Sequence, residues 1–136
     1  MGLDISSTNK QITWGYSKIH GVRALAYLYC GGGDESAMMR ECTSDKPNAA
    51  MRRTFGEFPN LVNHSDCEGG YARDGFPGKN SDLLTGNSAD LLAELNKLKA
   101  WITPGIRSEM RGGQLLDELL ELVADAVETD GEIVFS

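Results

Sequence analysis

Residues 115–127 have the sequence LLDELLELVADAV, and this stretch decides the class of fold. Leucine and valine recur in it every three or four positions, the spacing that places side chains on one side of an α-helix. The acidic residues fall on the other side: Asp117, Glu118, Glu121 and Asp125. Because such a helix gains most of its stability by packing its apolar side, the stretch predicts a helical element of the core.

A second strong helix is predicted just before it, beginning at Asn87 or Ser88 and ending at Pro104. Its apolar residues have the same helical spacing: Leu91, Leu92, Leu95, Leu98 and Ile102. Two amphipathic helices joined by a short turn are typical of an antiparallel pair that packs on the rest of the chain.

The first half of the chain predicts shorter helices. One begins after Ser17 and ends at the glycines 31–33, and another, capped by Asp34 or Ser36, stops before a proline. Residues 48–63 have apolar side chains at helical spacing, but a glycine and a proline interrupt the pattern. Residues 65–86 are rich in Gly, Asp, Ser and Asn, and so long an irregular segment is often functional.

The two ends of the chain predict strands. Residues 3–6 alternate apolar and polar side chains, and residues 132–135 are β-prone and follow the turn signal Asp130-Gly131. Paired, residues 2–6 and 132–135 make a small two-stranded sheet, which needs helices against one face to be stable. The predicted fold is therefore α+β, a single domain over residues 1–136 in which this sheet packs with four or five helices.

Composition narrows the functional classes. Of the 136 residues, 40% are apolar and 24% are charged, which are values typical of globular proteins. No apolar run is long enough to span a membrane, and the first residues lack the pattern of a signal peptide. Three cysteines without CxxC spacing argue against a disulfide framework and give little support to a structural zinc site. We therefore expect a cytoplasmic protein that binds no membrane.

The net charge of −7 is distributed unevenly. Residues 1–80 carry nine basic and nine acidic side chains, whereas residues 81–136 carry four basic and eleven acidic ones. Binding to duplex nucleic acid needs a basic face, so this class of partner is not expected. A small anionic ligand held by a few arginines of the first half stays compatible with the charge.

The segment with the densest chemistry is residues 64–70, HSDCEGG. It places an imidazole, a hydroxyl, a thiol and two carboxylates before two glycines: His64, Ser65, Asp66, Cys67 and Glu68. Since so many polar groups are costly to bury, we interpret the segment as an exposed ligand-binding loop. Three alternatives stay open, namely a structural turn, a metal site, and a Cys67 nucleophile with His64 as its base.

An aromatic segment before the first predicted helix offers a second part of the site. Trp14 and Tyr16 flank a glycine, and Ser17 stands at the helix start, where free N–H groups attract anions. With Lys18 and Arg23 nearby, the base and phosphate of a nucleotide would suit this place. The alternative is that both aromatic side chains pack in the core.

Four further residues complete the candidate site. Tyr71 and Arg73 are candidates for anion contacts, and Asp4 and Ser6 lie on the polar face of the first strand. The predicted ligand-binding residues are thus Asp4, Ser6, Trp14, Tyr16, Ser17, Lys18, Arg23, His64, Ser65, Asp66, Cys67, Glu68, Tyr71 and Arg73. No catalytic residue, metal or cofactor is assigned, because the chain has no GxGxxG, Walker, HExxH or GxSxG motif in a suitable context.

Three segments of the chain resemble a family of small, uncharacterised phage and prophage proteins. They are residues 1–6 (MGLDIS), 14–17 (WGYS) and 64–69 (HSDCEG), and the leucine-rich helix with its final Ile-x-Phe strand adds to the likeness. This chain lacks the His that follows the first strand in relatives, and its glycine-rich linker near residue 31 is longer. The resemblance implies a phage origin and the cytoplasm of an infected bacterium. Small phage proteins often counter host defence, by binding a protein or by sequestering a nucleotide second messenger.

The sequence thus predicts a non-catalytic protein that sequesters a small anionic ligand. The resemblance implies a nucleotide second messenger of host anti-phage immunity as the expected ligand. Burial of such a ligand is often completed by a second subunit, so a homo-oligomer is expected. One alternative is a hydrolase that uses Cys67 and His64, or a metal held by His64, Asp66 and Glu68. The other is a protein-interaction module whose acidic helices inhibit a basic host factor.

Overall fold

The computed structural model describes residues 2–15, 18–42, 44–62, 88–131 and 133–135. In this structure a small antiparallel sheet packs with helices, which confirms the predicted α+β class. In chain order the elements are β1 (Gly2–Ser6), β2 (Gln11–Gly15), α1 (Lys18–Tyr29), α2 (Glu35–Cys42), α3 (Ala49–Glu57), α4 (Pro59–Val62), α5 (Ser88–Trp101), α6 (Pro104–Glu109), α7 (Arg111–Glu128) and β3 (Val134–Phe135).

The sheet has three described strands in the order β2-β1-β3, each antiparallel to its neighbour. The predicted pairing of the two chain ends is confirmed, because Ile5 lies opposite Phe135. β2 is an addition to the two predicted strands. It forms because QITWG alternates polar and apolar residues after a tight turn, in which the Ser7 N–H donates to the Lys10 carbonyl at 2.8 Å. The third strand stabilises a sheet that two short strands would leave marginal.

One face of the sheet contributes to the main core. Ile5 and Trp14 are buried there together with Ile133 and with apolar side chains of α1, α5 and α7. α7 buries most of its predicted apolar side and also Leu122. Asp117, Glu118 and Glu121 are exposed as predicted. The leucine-rich helix therefore lies between the core and an acidic surface.

α1 and α7 meet at glycines that allow a close approach. A Cβ at Gly112 would stand only 2.0 Å from the carbonyl oxygen of Gly21, so a larger residue does not fit without moving the helices apart. Gly112 and Gly113 are both buried in the first turn of α7. The helix therefore starts at these glycines, where their lack of side chains lets α1 approach.

Seven described helices replace the four or five predicted. Residues 48–63 form both α3 and α4, which begins at Pro59 because proline suits the first helical position. Pro104 likewise starts α6 instead of only ending the previous helix. Thr103 caps α6 by accepting a hydrogen bond from the Ile106 N–H at 3.2 Å. α5 ends at Trp101, so Ile102 lies beyond it.

Candidate functional site

Nine of the predicted site residues lie outside the described residues. These predicted site residues are Tyr16, Ser17, His64, Ser65, Asp66, Cys67, Glu68, Tyr71 and Arg73. The four interpretations of residues 64–70 (ligand loop, structural turn, metal site and nucleophile) therefore all stay predictions.

The helix that leads to residue 63 is fixed by a buried polar network. Glu94 of α5 is only 7% exposed and accepts hydrogen bonds from the Asn60 N–H at 3.2 Å, the Asn60 Nδ2 at 2.7 Å and the Leu61 N–H at 2.9 Å. Burial raises the pKa of Glu94, and these three bonds oppose that rise. From α1, Arg23 donates through Nε to the Leu61 carbonyl at 2.8 Å. α4 is thus held between α1 and α5, since these buried groups would be costly without partners.

The position of Arg23 changes its predicted role. Its side chain is fully buried, and its Nε serves the backbone of α4, whereas a phosphate contact needs a guanidinium that a ligand can reach. Lys18, in the first turn of the same helix, is exposed and can meet an anion from solvent. The two basic residues predicted to act together therefore stand in different environments.

Trp14 belongs to the core rather than to a stacking surface. It is 2% exposed, and its indole Nε1 donates to Glu118 Oε2 at 2.9 Å. A base cannot stack on a ring that has no exposed face, so the structure corrects the predicted ligand contact at Trp14 in favour of the core alternative.

Asp4 and Ser6 lie on the polar face of β1, as the alternation of the strand predicts. Asp4 Oδ1 accepts a hydrogen bond from Thr13 Oγ1 at 2.9 Å, and Ser6 pairs with Gln11 across the hairpin. Thr13 and Gln11 are exposed. This face of the sheet is therefore opposite to the one that carries Ile5 and Trp14.

A cleft of about 370 Å³ lies between the β1–β2 hairpin and α7. Its walls are hairpin residues 9–12 on one side and Glu118, Glu121 and Leu122 on the other, and we name it the hairpin cleft. Two carboxylates face a single lysine, Lys10, so the lining favours a basic or neutral group over an anion.

The hairpin wall of this cleft is anchored to α7. Asp125 accepts hydrogen bonds from Ser7 Oγ at 2.5 Å, from the Asn9 N–H at 2.8 Å and from Asn9 Nδ2 at 3.0 Å. These bonds, the Ser7 bond most of all, lower the pKa of Asp125. Thr8 and Thr129 add a hydroxyl–hydroxyl bond of 2.6 Å. Hydrogen bonds therefore fix the hairpin wall of the cleft to α7.

A second cleft, of about 290 Å³, lies on the other side of α7, against α5. We name it the helix-pair cleft, and its lining residues are Leu92, Asn96, Lys99, Leu120, Glu121 and Ala124. Glu121 lines both clefts and is exposed. It makes no hydrogen bond or ion pair with any other residue of the described ranges.

Three other acidic side chains of α7 differ from Glu121 because each of them has a partner. Asp117 Oδ2 lies 3.0 Å from Arg107 Nη1, and its Oδ1 lies 3.9 Å from Lys99 Nζ. Glu118 accepts from Trp14, and Asp125 accepts from the hairpin. A carboxylate without a cation is the one best placed to attract a basic group of another molecule.

A third cleft, of about 300 Å³, separates the starts of α2 and α7. Its lining combines the carboxylates of Asp34, Glu35 and Glu109 with Arg111, which forms an ion pair with Glu35. His20 lies near this pair. Burial, together with the charges of Arg23 and Arg111, lowers the pKa of His20 to about 4, although Glu35 acts to raise it. His20 is therefore neutral at neutral pH.

The described cysteines and metal-ligating side chains differ from the residues of the predicted reactive centres, which lie outside the described ranges. Cys30 and Cys42 are buried, and burial raises the pKa of the Cys30 thiol, which disfavours the nucleophilic thiolate. Within residues 2–15, 18–42, 44–62, 88–131 and 133–135, no three His, Cys, Asp or Glu side chains are grouped to hold a metal ion. In these same ranges, no helix is long and apolar enough to cross a membrane.

Sequence reasoning missed the hairpin cleft, although a signal for it exists. The turn residues Thr8 and Asn9, followed by the alternation of QITW, are typical of a β-hairpin, and Glu121 appears in the sequence only as one acidic residue among several. Comparisons of the chain with protein-family models, with curated proteins and with solved structures give no match, so the phage-family resemblance stays a prediction and function is inferred from the site.

Proposed function

We propose that the chain is a protein-interaction module that binds a basic segment of a partner protein at the hairpin cleft. The observation that carries this proposal is the position of Glu121, an exposed carboxylate that lines two clefts and has no partner among the described residues. In the phage context that the resemblance implies, the partner would be a basic host factor whose activity is blocked.

Electrostatics supports a basic partner. Residues 81–136 carry the whole net charge of −7, and Glu118 and Glu121 face the same cleft. Opposite charges at an interface raise the association rate and select the partner, and both effects weaken as salt screens them. The proposed binding is therefore expected to be salt-sensitive.

The test is a fluorescence-polarisation titration with a labelled peptide of about ten residues that alternates Lys and Thr. Glu121→Gln removes the charge without changing the shape and should weaken binding about two- to fivefold, the effect of one exposed charge pair. Glu128→Gln is the matched control, since Glu128 is exposed on the same helix and lies in neither cleft. Equal weakening by both variants, or no binding by the wild type, would overturn the proposal.

Sequestration of a small anionic ligand is the second candidate function. The observation that favours it is that two cationic side chains, Arg23 and Arg111, act on His20, although burial is the main cause of its lowered pKa and Glu35 opposes them. Lys18, exposed at the start of α1, adds a basic group. The acidic lining of the cleft beside Arg111 and the burial of Trp14 make this candidate the weaker one.

A thermal-shift assay against cyclic and linear nucleotides, ADP-ribose derivatives and divalent metals tests this candidate. A nucleotide present at a hundred times its Kd should stabilise the protein by about 2.7 kcal/mol. Mass spectrometry of the mixture then distinguishes sequestration, in which the nucleotide is recovered intact, from hydrolysis. If no nucleotide raises the melting temperature, the candidate is rejected.

A further inference from the structure

β2 has an outer edge beside the hairpin cleft. The bond from the Ser7 N–H to the Lys10 carbonyl makes these residues a hydrogen-bonded pair, and such pairs alternate along an antiparallel ladder. In the register of β1 and β2, the backbone of Ile12 therefore faces β1, while the N–H and C=O groups of Gln11 and Thr13 point outward. No described strand pairs with this edge.

The surface next to that edge belongs to α7. Ile12 and Trp14 lie on the same face of β2, and that face meets α7, where Trp14 bonds to Glu118. Ile12 lines the hairpin cleft opposite Glu121. Since side chains alternate along a strand, an added strand would place every second side chain beside Glu118 and Glu121.

We infer that β2 accepts an extended segment of the partner as a further strand, with Lys or Arg at alternate positions facing Glu118 and Glu121. This inference rests on the proposed function and names the form of the partner segment. The outward backbone groups of Gln11 and Thr13 supply the hydrogen bonds, and the carboxylates select the side chains.

Charge selects a basic partner rather than a second copy of this chain. Pairing of β2 with its own copy would bring two sets of Glu118 and Glu121 together, and each chain carries a net charge of −7. Like charges brought together at an interface disfavour association. A basic strand instead places positive charges beside both glutamates, which favours association.

The test compares two N-methylated forms of the Lys–Thr peptide, one methylated on the Lys nitrogens and the other on the Thr nitrogens. Side chains and charge are identical, but backbone N–H groups are removed from opposite edges of the strand. In antiparallel addition the Thr nitrogens face β2, so their methylation should weaken binding about tenfold or more, while Lys methylation is tolerated. In parallel addition the Lys nitrogens face β2, so the expected effects of the two methylated peptides are exchanged.

The outcomes separate this inference from the proposed function. A one-sided loss supports strand addition. Equal effects of the two methylated peptides, with the dependence on Glu121 retained, overturn strand addition and leave the proposed function standing. Failure of the unmethylated peptide to bind rejects both. Wild-type dimers that the peptide dissociates would assign the edge to a second copy and overturn the choice of a basic partner.

Discussion

The indole Nε1 of Trp14 donates a hydrogen bond of 2.9 Å to Glu118 Oε2 across 104 residues of sequence. A buried indole N–H needs an acceptor, and this one lies at the rim of the hairpin cleft. One contact therefore joins the stability of the sheet to the surface proposed for binding.

Removal of the Glu118 carboxylate should destabilise the fold. Glu118→Ala leaves the Trp14 N–H without its acceptor, so we expect the free energy of unfolding to fall by about 1–2 kcal/mol. Glu118→Gln keeps an acceptor oxygen and should cost less. Urea unfolding measured by tryptophan fluorescence gives both values.

Glu121→Ala is the control for this pair of variants, because Glu121 is exposed on the same helix and has no described partner. It should change the free energy of unfolding by no more than about 0.5 kcal/mol. Equal losses for Glu118→Ala and Glu121→Ala would contradict a structural role for the bond to Trp14.

Asp125 should make stability depend on pH in the acidic range. Its pKa is lowered in the folded state, chiefly by the bond from Ser7, so the protein binds fewer protons there than the unfolded chain does. The stabilisation is complete above about pH 4 and is lost as pH falls through the folded pKa. The Tm of the wild type should therefore fall more steeply below about pH 4 than that of Asp125→Asn, in scanning calorimetry.

Glu128→Gln, which removes a charge from the same helix at a residue that makes no hydrogen bond to the hairpin, should keep the wild-type slope of Tm against pH. If Asp125→Asn keeps that slope as well, the hydrogen bonds to the hairpin do not set the pKa of Asp125.

The contact between α1 and α7 should tolerate no side chain at Gly112. The added Cβ of Gly112→Ala would stand 2.0 Å from the Gly21 carbonyl oxygen, so we expect a loss of about 2–3 kcal/mol or more. Gly56→Ala in α3 is the matched control, because its Cβ would meet no heavy atom within 4 Å. The control should be stabilised by about 0.5–1 kcal/mol, and similar losses in both variants would contradict the close packing.

The pKa of His20 should shift in opposite directions when Arg111 or Glu35 is replaced. Arg111→Met removes a cation and releases Glu35, so the pKa of His20 should rise from about 4, whereas Glu35→Gln should lower it further. An NMR titration of the imidazole protons measures both changes, and an unchanged pKa in both variants would contradict the arrangement. Because the folded pKa lies below the unfolded value near 6.5, the contribution of His20 to stability is complete above about pH 6.5 and declines as pH falls toward 4.

The periodicity of apolar and polar residues within short stretches correctly predicted two parts of the fold. The apolar side of α7 and the pairing of the chain ends follow from spacing and alternation within short stretches. The strand β2 was not predicted, because two aromatic residues around a glycine are also typical of the start of a helix. Helix α6 was not predicted either, because Pro104-Gly105 is equally typical of a helix end and of a proline at the first helical position.

The site was harder to predict because it depends on contacts distant in sequence. The hairpin cleft exists only when residues 9–12 fold against Glu118 and Glu121, which lie more than a hundred positions away. Arg23 illustrates the same limit, since nothing in its neighbours indicates that the Leu61 carbonyl will accept its Nε. The motif at 64–70 stays a prediction from its residue types alone.

The measurement that tests the central claim most directly is an NMR titration of the isotope-labelled protein with the alternating Lys–Thr peptide, with backbone amide shifts as the readout. Binding at the hairpin cleft predicts that the largest shifts occur in β2, from Gln11 to Trp14, and in α7, from Glu118 to Leu122. Shifts confined to the cleft around Glu35 and Arg111, or no shifts at all, would contradict the proposed interaction surface.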